Sequence, residues 1–360
     1  MSEDQSGKSR SPPARTSSQV LASVITATPF RVSFFGGGTD FPGYFNKRGG
    51  LVLAAAIHQY SYVALNSLPR LLEKRFRISY SQLEVADSVE AIRHDIVRAT
   101  LTEHMKLVGD SFVDIHSYAE LPSGTGVGSS SAFAVGLLNA LHALHGVYLP
   151  PKDLARRAIH IERDVLKEQG GWQDQILAAY GGLNLVRFRD QGFEVTPLVV
   201  GSARRAAIED SCWLYFTAQT RSSAEVQRVS FSSSNIADKE RTLDQTRELA
   251  EEALQVFRTE TDHHAMVRRW GELLHTAWQL KRAMSGVVST PEIDAMYESA
   301  RRAGAYGGKI IGAGGGGFLL IVGPPGQRAA IDAAIGHPYN LSVRLEEDGS
   351  HVVYVNEKLG

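Results

Sequence analysis

The spacing of apolar residues along the chain predicts a mixture of strands and helices without a fixed repeat. Apolar segments of strand length occur at 24–35, 50–57, 60–66, 76–80, 182–188 and 213–218, and a further strand ends near Tyr118. Helical spacing is clearest in Phe133, Leu137, Leu138, Leu141 and Leu144, which recur at three- and four-residue steps before Gly146. Other helices are predicted at 89–107 and 151–167, in two long segments after residue 235, and from Thr290 and Pro291 onward.

This mixture indicates an α+β fold in two layers, and the length of the chain indicates two domains. A chain of 360 residues with 43% hydrophobic residues exceeds what one hydrophobic core usually supports. We place the boundary in the weakly marked segment 197–205, which gives domains at 20–198 and 199–360. Residues 1–19 are polar, basic and rich in Ser and Pro, and we expect a disordered tail there.

Charge, cysteine content and hydropathy argue against several classes of function. The formal net charge is −1, so no overall field attracts nucleic acid or an anionic membrane. The single cysteine, Cys212, lies in an apolar strand and is expected to be an inert core thiol. No apolar stretch has the length of a membrane span or the form of a signal peptide, which predicts a cytoplasmic protein. The sequence indicates no nucleic-acid or membrane partner and leaves a homodimer open.

The chemically most informative segment is LPSGTGVGSSSA at 121–132, a glycine-rich turn directly ahead of the helix that contains Phe133. Gly124, Gly126 and Gly128 can adopt positive φ and let a ligand approach the backbone, while the first helical turn offers unpaired N–H groups. These features predict a cradle for the phosphates of a nucleotide. The glycine spacing fits neither a Walker A loop nor a dinucleotide-binding loop. A glycine-rich turn without a ligand is the alternative on this segment alone.

Two further motifs favour the ligand-binding interpretation. The segment TPFRVSFFGGGTDFPGY at 28–44 runs from alternating apolar residues into three glycines and a Thr-Asp pair, and KIIGAGGGGF at 309–318 is a strand interrupted by glycines. Together with the glycine-rich turn, these motifs resemble those of the GHMP kinases, in the same order, over roughly residues 20 to 325. Within that family, FFGGGTD and the later TAQTRSS at 217–223 are most similar to the D-glycero-D-manno-heptose 7-phosphate kinase branch.

The resemblance implies a fold and a function. The fold is a ribosomal-protein-S5-like N-terminal domain and a ferredoxin-like C-terminal domain, with the active site in the cleft between them. The function is an ATP- and Mg²⁺-dependent sugar kinase that phosphorylates the anomeric hydroxyl of D-glycero-D-manno-heptose 7-phosphate. The resulting 1,7-bisphosphate would supply nucleotide-activated heptose for surface polysaccharide, as in capsule or lipopolysaccharide. A kinase of an unphosphorylated sugar such as fucose or galactose stays open, as does a non-catalytic sugar sensor.

The resemblance also implies the residues that bind ATP and Mg²⁺. The nucleotide-binding set consists of Pro122, Gly124, Thr125, Gly126, Val127, Gly128, Ser129, Ser130 and Ser131. Ser130 aligns with the family serine that contacts Mg²⁺, although any serine here could instead cap the helix. Glu162 lies among apolar positions of its predicted helix, where a carboxylate is costly unless it is paired or bound to a cation. The family places a Mg²⁺ ligand there, and a salt bridge to an arginine is the alternative.

Two residues are the candidates for catalysis. Asp174 follows the glycine-punctuated turn at 170–173 and matches the family aspartate that faces the substrate hydroxyl. Arg31 matches the family basic residue at the end of the first strand, where it would keep Asp174 ionised and neutralise charge on the phosphoryl group. The simpler alternatives are that Asp174 caps a helix and that Arg31 is a surface residue of a strand.

The acceptor site is expected to use residues of the segments 28–44, 217–223 and 309–318. Asp40 aligns with the family aspartate that bonds sugar hydroxyls, and a carboxylate suits that role because it accepts two hydroxyl protons. Galactokinase has a Glu-His pair where this chain has Gly37 and Gly38, which leaves room for a longer or phosphorylated sugar. A terminal phosphate would then contact Arg221, Ser222 and Ser223, with Lys47 or Arg48 as further candidates. The expected substrate-binding set is Gly37, Gly38, Thr39, Asp40, Arg221, Ser222, Gly314 and Gly315.

Overall fold

The computed structural model describes residues 21–68, 74–109, 111–190, 192–218 and 236–357. The tail expected at 1–19 therefore lies outside the described residues, and so do Arg221, Ser222 and Ser223. The described strands are β1 (Leu21–Phe35), β2 (Gly50–Leu68), β3 (Phe76–Ser79), β4 (Leu83–Ala86), β5 (Phe112–Ala119), β6 (Leu183–Arg189), β7 (Gly192–Pro197), β8 (Cys212–Phe216), β9 (Gly307–Ile310), β10 (Phe318–Val322), β11 (Asn340–Ser342) and β12 (His351–Glu357).

The helices supply the second layer. They are α1 (Pro42–Arg48), α2 (Asp95–Glu103), α3 (Met105–Val108), α4 (Ser129–Leu144), α5 (Pro151–Ile159), α6 (Gln173–Tyr180), α7 (Ser202–Ser211), α8 (Ile236–Thr259), α9 (His263–Met284), α10 (Pro291–Arg302) and α11 (Arg328–Ile335). A π-helical turn, His160–Val165, continues α5. Asp262 and Thr290 accept backbone N–H bonds at the starts of α9 and α10, as capping residues do. Within the described residues, no helix is long and apolar enough to cross a bilayer.

The larger sheet has eight strands in the order β12-β1-β2-β5-β3-β4, with β6 and β7 branching from β2. The first part of β2 pairs with β6 and its second part pairs with β5, so this long strand joins two parts of the sheet. All of these pairs are antiparallel except β3 with β5. Helix α4 packs on β1 and β2 through a nearly continuous run of buried residues.

The smaller sheet has four antiparallel strands in the order β11-β8-β10-β9. Its strand β10 is buried on both faces, which explains its unbroken apolar sequence. Phe318, Leu320 and Val322 belong to the core that includes the larger sheet, whereas Leu319 and Ile321 pack with residues of α10 and α11. The core of the larger sheet therefore extends to one face of the smaller sheet.

Three sequence predictions of element boundaries are corrected. The strands expected at 50–57 and 60–66 form one strand, because His58 and Gln59 form a bulge opposite the Pro29–Phe30 step of β1. The helix expected at 89–107 begins at Asp95 and is interrupted at His104. The helix expected at 151–167 is α-helical only to Ile159 and then becomes the π-helical turn.

The division into domains at 20–198 and 199–360 stays a prediction. In the structure β7 ends at Pro197 and α7 begins at Ser202, so the expected boundary falls in a short connection. The last described strand, β12, returns to the larger sheet and pairs with β1. The C-terminal end of the described chain thus packs with the N-terminal sheet.

Candidate active site

The glycine-rich turn before α4 has the backbone geometry that its composition predicted. Gly124, Gly126 and Gly128 have φ values of 77°, 83° and 79°. Gly128 is the N-cap of α4 in the left-handed conformation, and no side chain caps the helix. The N-terminal N–H groups of α4 are therefore not bonded by a capping serine, which leaves them for a ligand or solvent. The alternative that one of the serines caps the start of α4 is therefore wrong.

The third glycine motif packs directly on this turn. A β-carbon at Gly126 would lie 2.6 Å from the carbonyl oxygen of Ile311, and one at Gly312 would lie 2.6 Å from the α-carbon of Gly126. The Phe318 amide also donates to the Thr125 carbonyl oxygen at 3.1 Å. Only glycine permits this approach, because each substitution would place a side-chain carbon in the backbone opposite. The two motifs thereby hold each other in place.

Arg31 and Asp174 form a bidentate ion pair at the centre of the site. Nε and Nη2 of Arg31 each donate to one oxygen of the Asp174 carboxylate at 2.7 Å. Nη1 of Arg31 donates to the carbonyl oxygen of Gly126, which ties the pair to the glycine-rich turn. Arg31 is only 4% exposed, so the surface-residue alternative is wrong. Asp174 lies in the first turn of α6 and makes no cap bond with its side chain.

Asp40 is buried next to this pair. Its two carboxylate oxygens accept bonds from the backbone amides of Gly38 at 2.9 Å and Gln173 at 3.2 Å. A β-carbon at Gly171 would lie 1.8 Å from Asp40 Oδ2, so a side chain at that position would displace the Asp40 carboxylate. Burial, and secondarily the charge of Asp174, raise the pKa of the Asp40 carboxyl. Hydrogen-bond donors from a ligand would relieve that effect because they stabilise the carboxylate.

Glu162 lies in the π-helical turn and is 1% exposed. Its carboxylate accepts bonds from Ser131 Oγ at 3.1 Å and from Gln175 Nε2 at 2.5 Å. These two neutral groups, rather than an arginine, are its hydrogen-bond partners. Burial raises the pKa of Glu162 to about 7. Such a carboxylate binds a cation favourably, because the cation compensates the charge that burial disfavours.

Two lysines at the site were missed by sequence reasoning. Lys281 on α9 donates to the carbonyl oxygens of Ile310 at 3.1 Å and Gly312 at 2.7 Å, and burial and the charge of Arg31 lower its pKa to about 7. Lys309 on β9 is 7% exposed, and burial, followed by the nearby charges of Lys281 and Arg31, lowers its pKa well below the ordinary value. The available signal was a lysine in the otherwise apolar and glycine strand GGKI.

These residues line one cleft with a volume of about 460 Å³. The expected site residues that line it are Arg31, Gly37, Gly38, Asp40, Gly124, Gly126, Gly128, Ser129, Ser130, Ser131, Glu162 and Asp174. Ser130 is exposed toward it, one residue from the serine that bonds Glu162. Among the described residues, no group of three or more His, Cys, Asp or Glu side chains could hold a metal ion.

Other expected residues lie elsewhere. Thr39 is fully buried, and its hydroxyl donates to the carbonyl oxygens of Gly36 and Leu51, which stabilises the turn before α1. Within the described residues, the lining of the cleft does not include Thr39, Pro122, Thr125, Val127, Gly314 or Gly315. The Gly315 amide donates to the Val288 carbonyl oxygen. Lys47 and Arg48 form ion pairs with Glu240 and Asp244 of α8.

Comparisons with known proteins match most of the chain. The family profile of the GHMP kinases N terminal domain matches residues 91–182, and that of the GHMP kinases C terminal domain matches residues 263–340. D-glycero-alpha-D-manno-heptose 7-phosphate kinase from Campylobacter jejuni is 28% identical over 349 residues, which are 92% of this chain and 96% of that protein.

Solved structures share the fold over nearly the whole chain. The crystal structure of a D-glycero-D-manno-heptose 1-phosphate kinase from Bacteroides thetaiotaomicron has a TM-score of 0.73 at 22% identity and covers 93% of this chain and 100% of that chain. Lactococcus lactis galactokinase has a TM-score of 0.70 at 17% identity, with coverages of 91% and 95%. The two-domain fold predicted from the sequence is confirmed. The chain therefore belongs to the GHMP kinase family and is an ATP-dependent kinase.

Proposed function

We propose that this kinase acts on a sugar, and that it transfers the γ-phosphoryl group of ATP to the anomeric hydroxyl of D-glycero-D-manno-heptose 7-phosphate. The observation that carries the proposal is the similarity to the Campylobacter kinase, which spans 92% of this chain. The cleft supports it, because the candidate acceptor carboxylate and the bidentate pair line the same cavity as the glycine-rich turn. The 1,7-bisphosphate would then supply nucleotide-activated heptose.

We assign Asp174 the role of orienting the attacking hydroxyl and accepting its proton. Phosphoryl transfer through a loose transition state depends chiefly on alignment and charge neutralisation. The two bonds from Arg31 fix the orientation of the Asp174 carboxylate. In this position Asp174 is ready to accept a proton while the bond from the sugar oxygen to phosphorus forms.

We assign the phosphates of ATP to the glycine-rich turn and the first turn of α4. Positive φ at Gly124, Gly126 and Gly128 exposes backbone at the mouth of the cleft, and the amino end of a 16-residue helix favours anions. Ser129, Ser130 and Ser131 add hydroxyl groups in the same turn. Thr125 and Val127 support this loop through their backbone carbonyl oxygens.

Mg²⁺ fits the residues at the amino end of α4, and we propose Glu162 and Ser130 as its protein ligands. Mg²⁺ prefers oxygen ligands and usually binds through one or two carboxylates plus water and phosphate oxygens, so one buried carboxylate suffices. Bound there, the ion would neutralise phosphate charge. Ser131 and Gln175 orient the carboxylate of Glu162 by donating to both of its oxygens.

We assign the acceptor sugar to the side of the cleft formed by Gly37, Gly38 and Asp40. The Asp40 carboxylate is fixed by two backbone amides and retains lone pairs that can accept sugar hydroxyls. Arg221 and Ser222 stay proposed ligands of the terminal phosphate on sequence grounds. Lys47 and Arg48 are weaker candidates, because their charges are paired with α8.

An acceptor panel tests this function. ADP release should be measured with heptose 7-phosphate, plain heptose, fucose, galactose and mannose, and phosphorus NMR should locate the new phosphate. We expect kcat/KM for heptose 7-phosphate to exceed that for heptose by at least about tenfold, since a charged hydrogen bond contributes roughly 1.5–3 kcal/mol. The Asp174→Asn variant controls for contaminating kinases.

Other results of the same panel would point elsewhere. Preference for fucose or galactose would replace the proposal with a kinase of unphosphorylated sugars. Saturable sugar binding without ADP release would indicate a sensor. Arg221→Ala should weaken only phosphorylated acceptors, and equal losses for heptose and its 7-phosphate would remove Arg221 from the acceptor site.

A further inference from the structure

The cations of the cleft differ in whether their charges are already bonded. Those that line its described part are Arg31, Arg163, Lys281 and Lys309. Arg31 donates to Asp174 and Gly126, and Lys281 donates to two carbonyl oxygens of the third glycine motif. Arg163 donates to the carbonyl oxygen of Gly171 and forms an ion pair with Glu168. Three of the four cations therefore already have partners in the protein.

Lys309 differs from the other three. Its ammonium group forms no hydrogen bond or ion pair with any residue that the structure describes, although only 7% of the residue is exposed. Burial of an unpaired ammonium group is costly, and proteins rarely retain one without a function. Lys281 and Arg31 lie close enough to repel it, whereas the charge of Asp40 attracts it. An anion bound in the cleft would stabilise the charged form of Lys309.

The cleft contains the residues proposed for both the nucleotide and the sugar. Asp40 is on the proposed sugar side, and Arg31 is tied to the glycine-rich turn on the nucleotide side. Lys309 lines the same cleft as Arg31 and Asp40, and the charges of both act on it. Arg31 already donates three bonds inside the protein, so a further cation beside it would add to the neutralisation of a phosphoryl group.

We propose that Lys309 is a further catalytic residue whose ammonium group binds the oxygens of the phosphoryl group during transfer. This inference rests on the kinase activity and deepens the proposed function. In the reaction, the bond from the sugar oxygen to phosphorus forms and the bond from phosphorus to the β-phosphate oxygen breaks. The hydroxyl proton goes to Asp174, and the electron pair leaves with ADP. Lys309 keeps its protons and stabilises negative charge on the phosphoryl oxygens.

The test compares Lys309→Ala with Lys152→Ala, which removes an exposed lysine of α5. Both are assayed with whichever acceptor the unmodified enzyme phosphorylates best, so failure of the heptose assignment does not affect the result. We expect Lys309→Ala to lower kcat by about 10²-fold or more, while the dissociation constants of nucleotide and acceptor change less than about threefold. Lys152→Ala should behave like the unmodified enzyme.

Chemical rescue separates a catalytic contact from a structural one. Added ethylamine should restore part of the lost kcat of Lys309→Ala in a saturable manner, because it supplies an N–H-bearing cation to the vacated space. Tetramethylammonium, which has the charge but no N–H group, should restore little. If the alanine variant does not fold, Lys309→Met, which retains an aliphatic stem without the ammonium group, is used for the kcat comparison without rescue.

Three outcomes would overturn the proposal. They are an unchanged kcat in folded Lys309 variants, a loss confined to acceptor affinity, and equal rescue by ethylamine and tetramethylammonium. A loss confined to acceptor affinity would place Lys309 on a phosphate of the sugar instead. The acceptor panel with the unmodified enzyme decides the proposed function separately, whichever of these results is obtained.

Discussion

The ion pair of Arg31 and Asp174 joins residues that are 143 positions apart in the sequence. Arg31 comes from the long first strand and Asp174 from the first turn of α6, and Gly126 contributes a carbonyl oxygen to the same guanidinium group. The pair therefore depends on the mutual placement of three elements. Three hydrogen bonds fix the pair within the protein, and such fixed groups need little reorganisation during a reaction.

Replacement of Asp174 by asparagine tests that role. An amide cannot accept the hydroxyl proton, so Asp174→Asn should lower kcat by about 10²-fold or more while KM changes little. Steady-state kinetics with a folding check by circular dichroism would measure this. Asp153→Asn on the exposed start of α5 is a matched control. Near-normal turnover of folded Asp174→Asn would exclude a role in proton transfer.

The proposed role of Glu162 as a Mg²⁺ ligand leads to a separate prediction about the Mg²⁺ dependence of the rate. Glu162→Gln should raise the Mg²⁺ concentration for half-maximal rate by about tenfold or more, and Ser130→Ala should raise it less because no charge is removed. Glu84→Gln is the matched control, since Glu84 is also buried and hydrogen-bonded but lies away from the cleft. If Glu162 is only structural, its variant will melt earlier with an unchanged Mg²⁺ dependence.

We expect nucleotide binding to be coupled to the uptake of a proton by Lys281. Because its pKa is about 7, a large part of Lys281 is neutral at pH 8 in the free protein. An anionic nucleotide raises that pKa, so binding at pH 8 should take up protons, by up to about one from this group. Titration calorimetry in two buffers of different ionisation enthalpy measures the uptake. Lys281→Met should reduce it, and an undiminished uptake would assign the protons to other groups.

At the scale of elements, the contact between two glycine motifs positions the cleft. Gly126 and Ile311 approach so closely that a β-carbon would lie 2.6 Å from the Ile311 carbonyl oxygen. Sequence patterns identify both motifs but give no distance between them. The π-helical turn is a second example, because an uninterrupted helix was predicted where the backbone widens at Glu162. Single π-turns within helices often occur at functional sites.

Two glycine substitutions separate the cost of this contact from the cost of positive φ. Gly126 has φ 83° and opposing backbone, whereas Gly146 has φ 67° and no described neighbour within 4 Å of the position that a β-carbon would occupy. Gly146→Ala should lower the free energy of unfolding by about 1 kcal/mol through backbone strain alone. Gly126→Ala should cost clearly more and abolish most activity. Equal costs by denaturant titration would contradict a tight contact between the motifs.

At the scale of the whole molecule, one core joins the two predicted domains. Trp270 of α9 packs against Phe34 and Phe35 of β1, with ring centroids 5.5 and 5.7 Å apart. Its indole N–H donates to the Ala253 carbonyl oxygen at 2.9 Å. The return of β12 to the first sheet adds a second connection. These contacts favour cooperative unfolding of the described regions as one unit.

Calorimetry checks this expectation. The unmodified protein should unfold in one transition. Trp270→Leu removes a large buried ring, so it should lower the free energy of unfolding by at most about 3–5 kcal/mol and move the whole transition to lower temperature. Met296→Ala, a partly buried residue of the other core, should have a smaller effect. Two separate transitions, of which Trp270→Leu shifts one, would show that the predicted domains unfold independently.

The sequence by itself determined the local features of this protein. The start of α10 follows from Thr290 and Pro291, the buried strand β10 from its apolar run, and the positive φ values of the glycine-rich turn from glycine itself. Three motifs in family order were enough to predict the GHMP kinase fold, which is confirmed. These properties depend on residues that are neighbours in sequence, where spacing and conformational preference carry the information.

Only the tertiary structure decided which charges meet. Lys281 and Lys309 lie on different elements, and the buried strand position of Lys309 does not reveal an unpaired ammonium group beside Asp40. Conversely, Lys47 and Arg48 were candidates for a phosphate, and the structure pairs them with α8. Electrostatic energy depends on distance and on burial in three dimensions, and neither is encoded in local spacing. The assignment of each charged residue therefore required the folded chain.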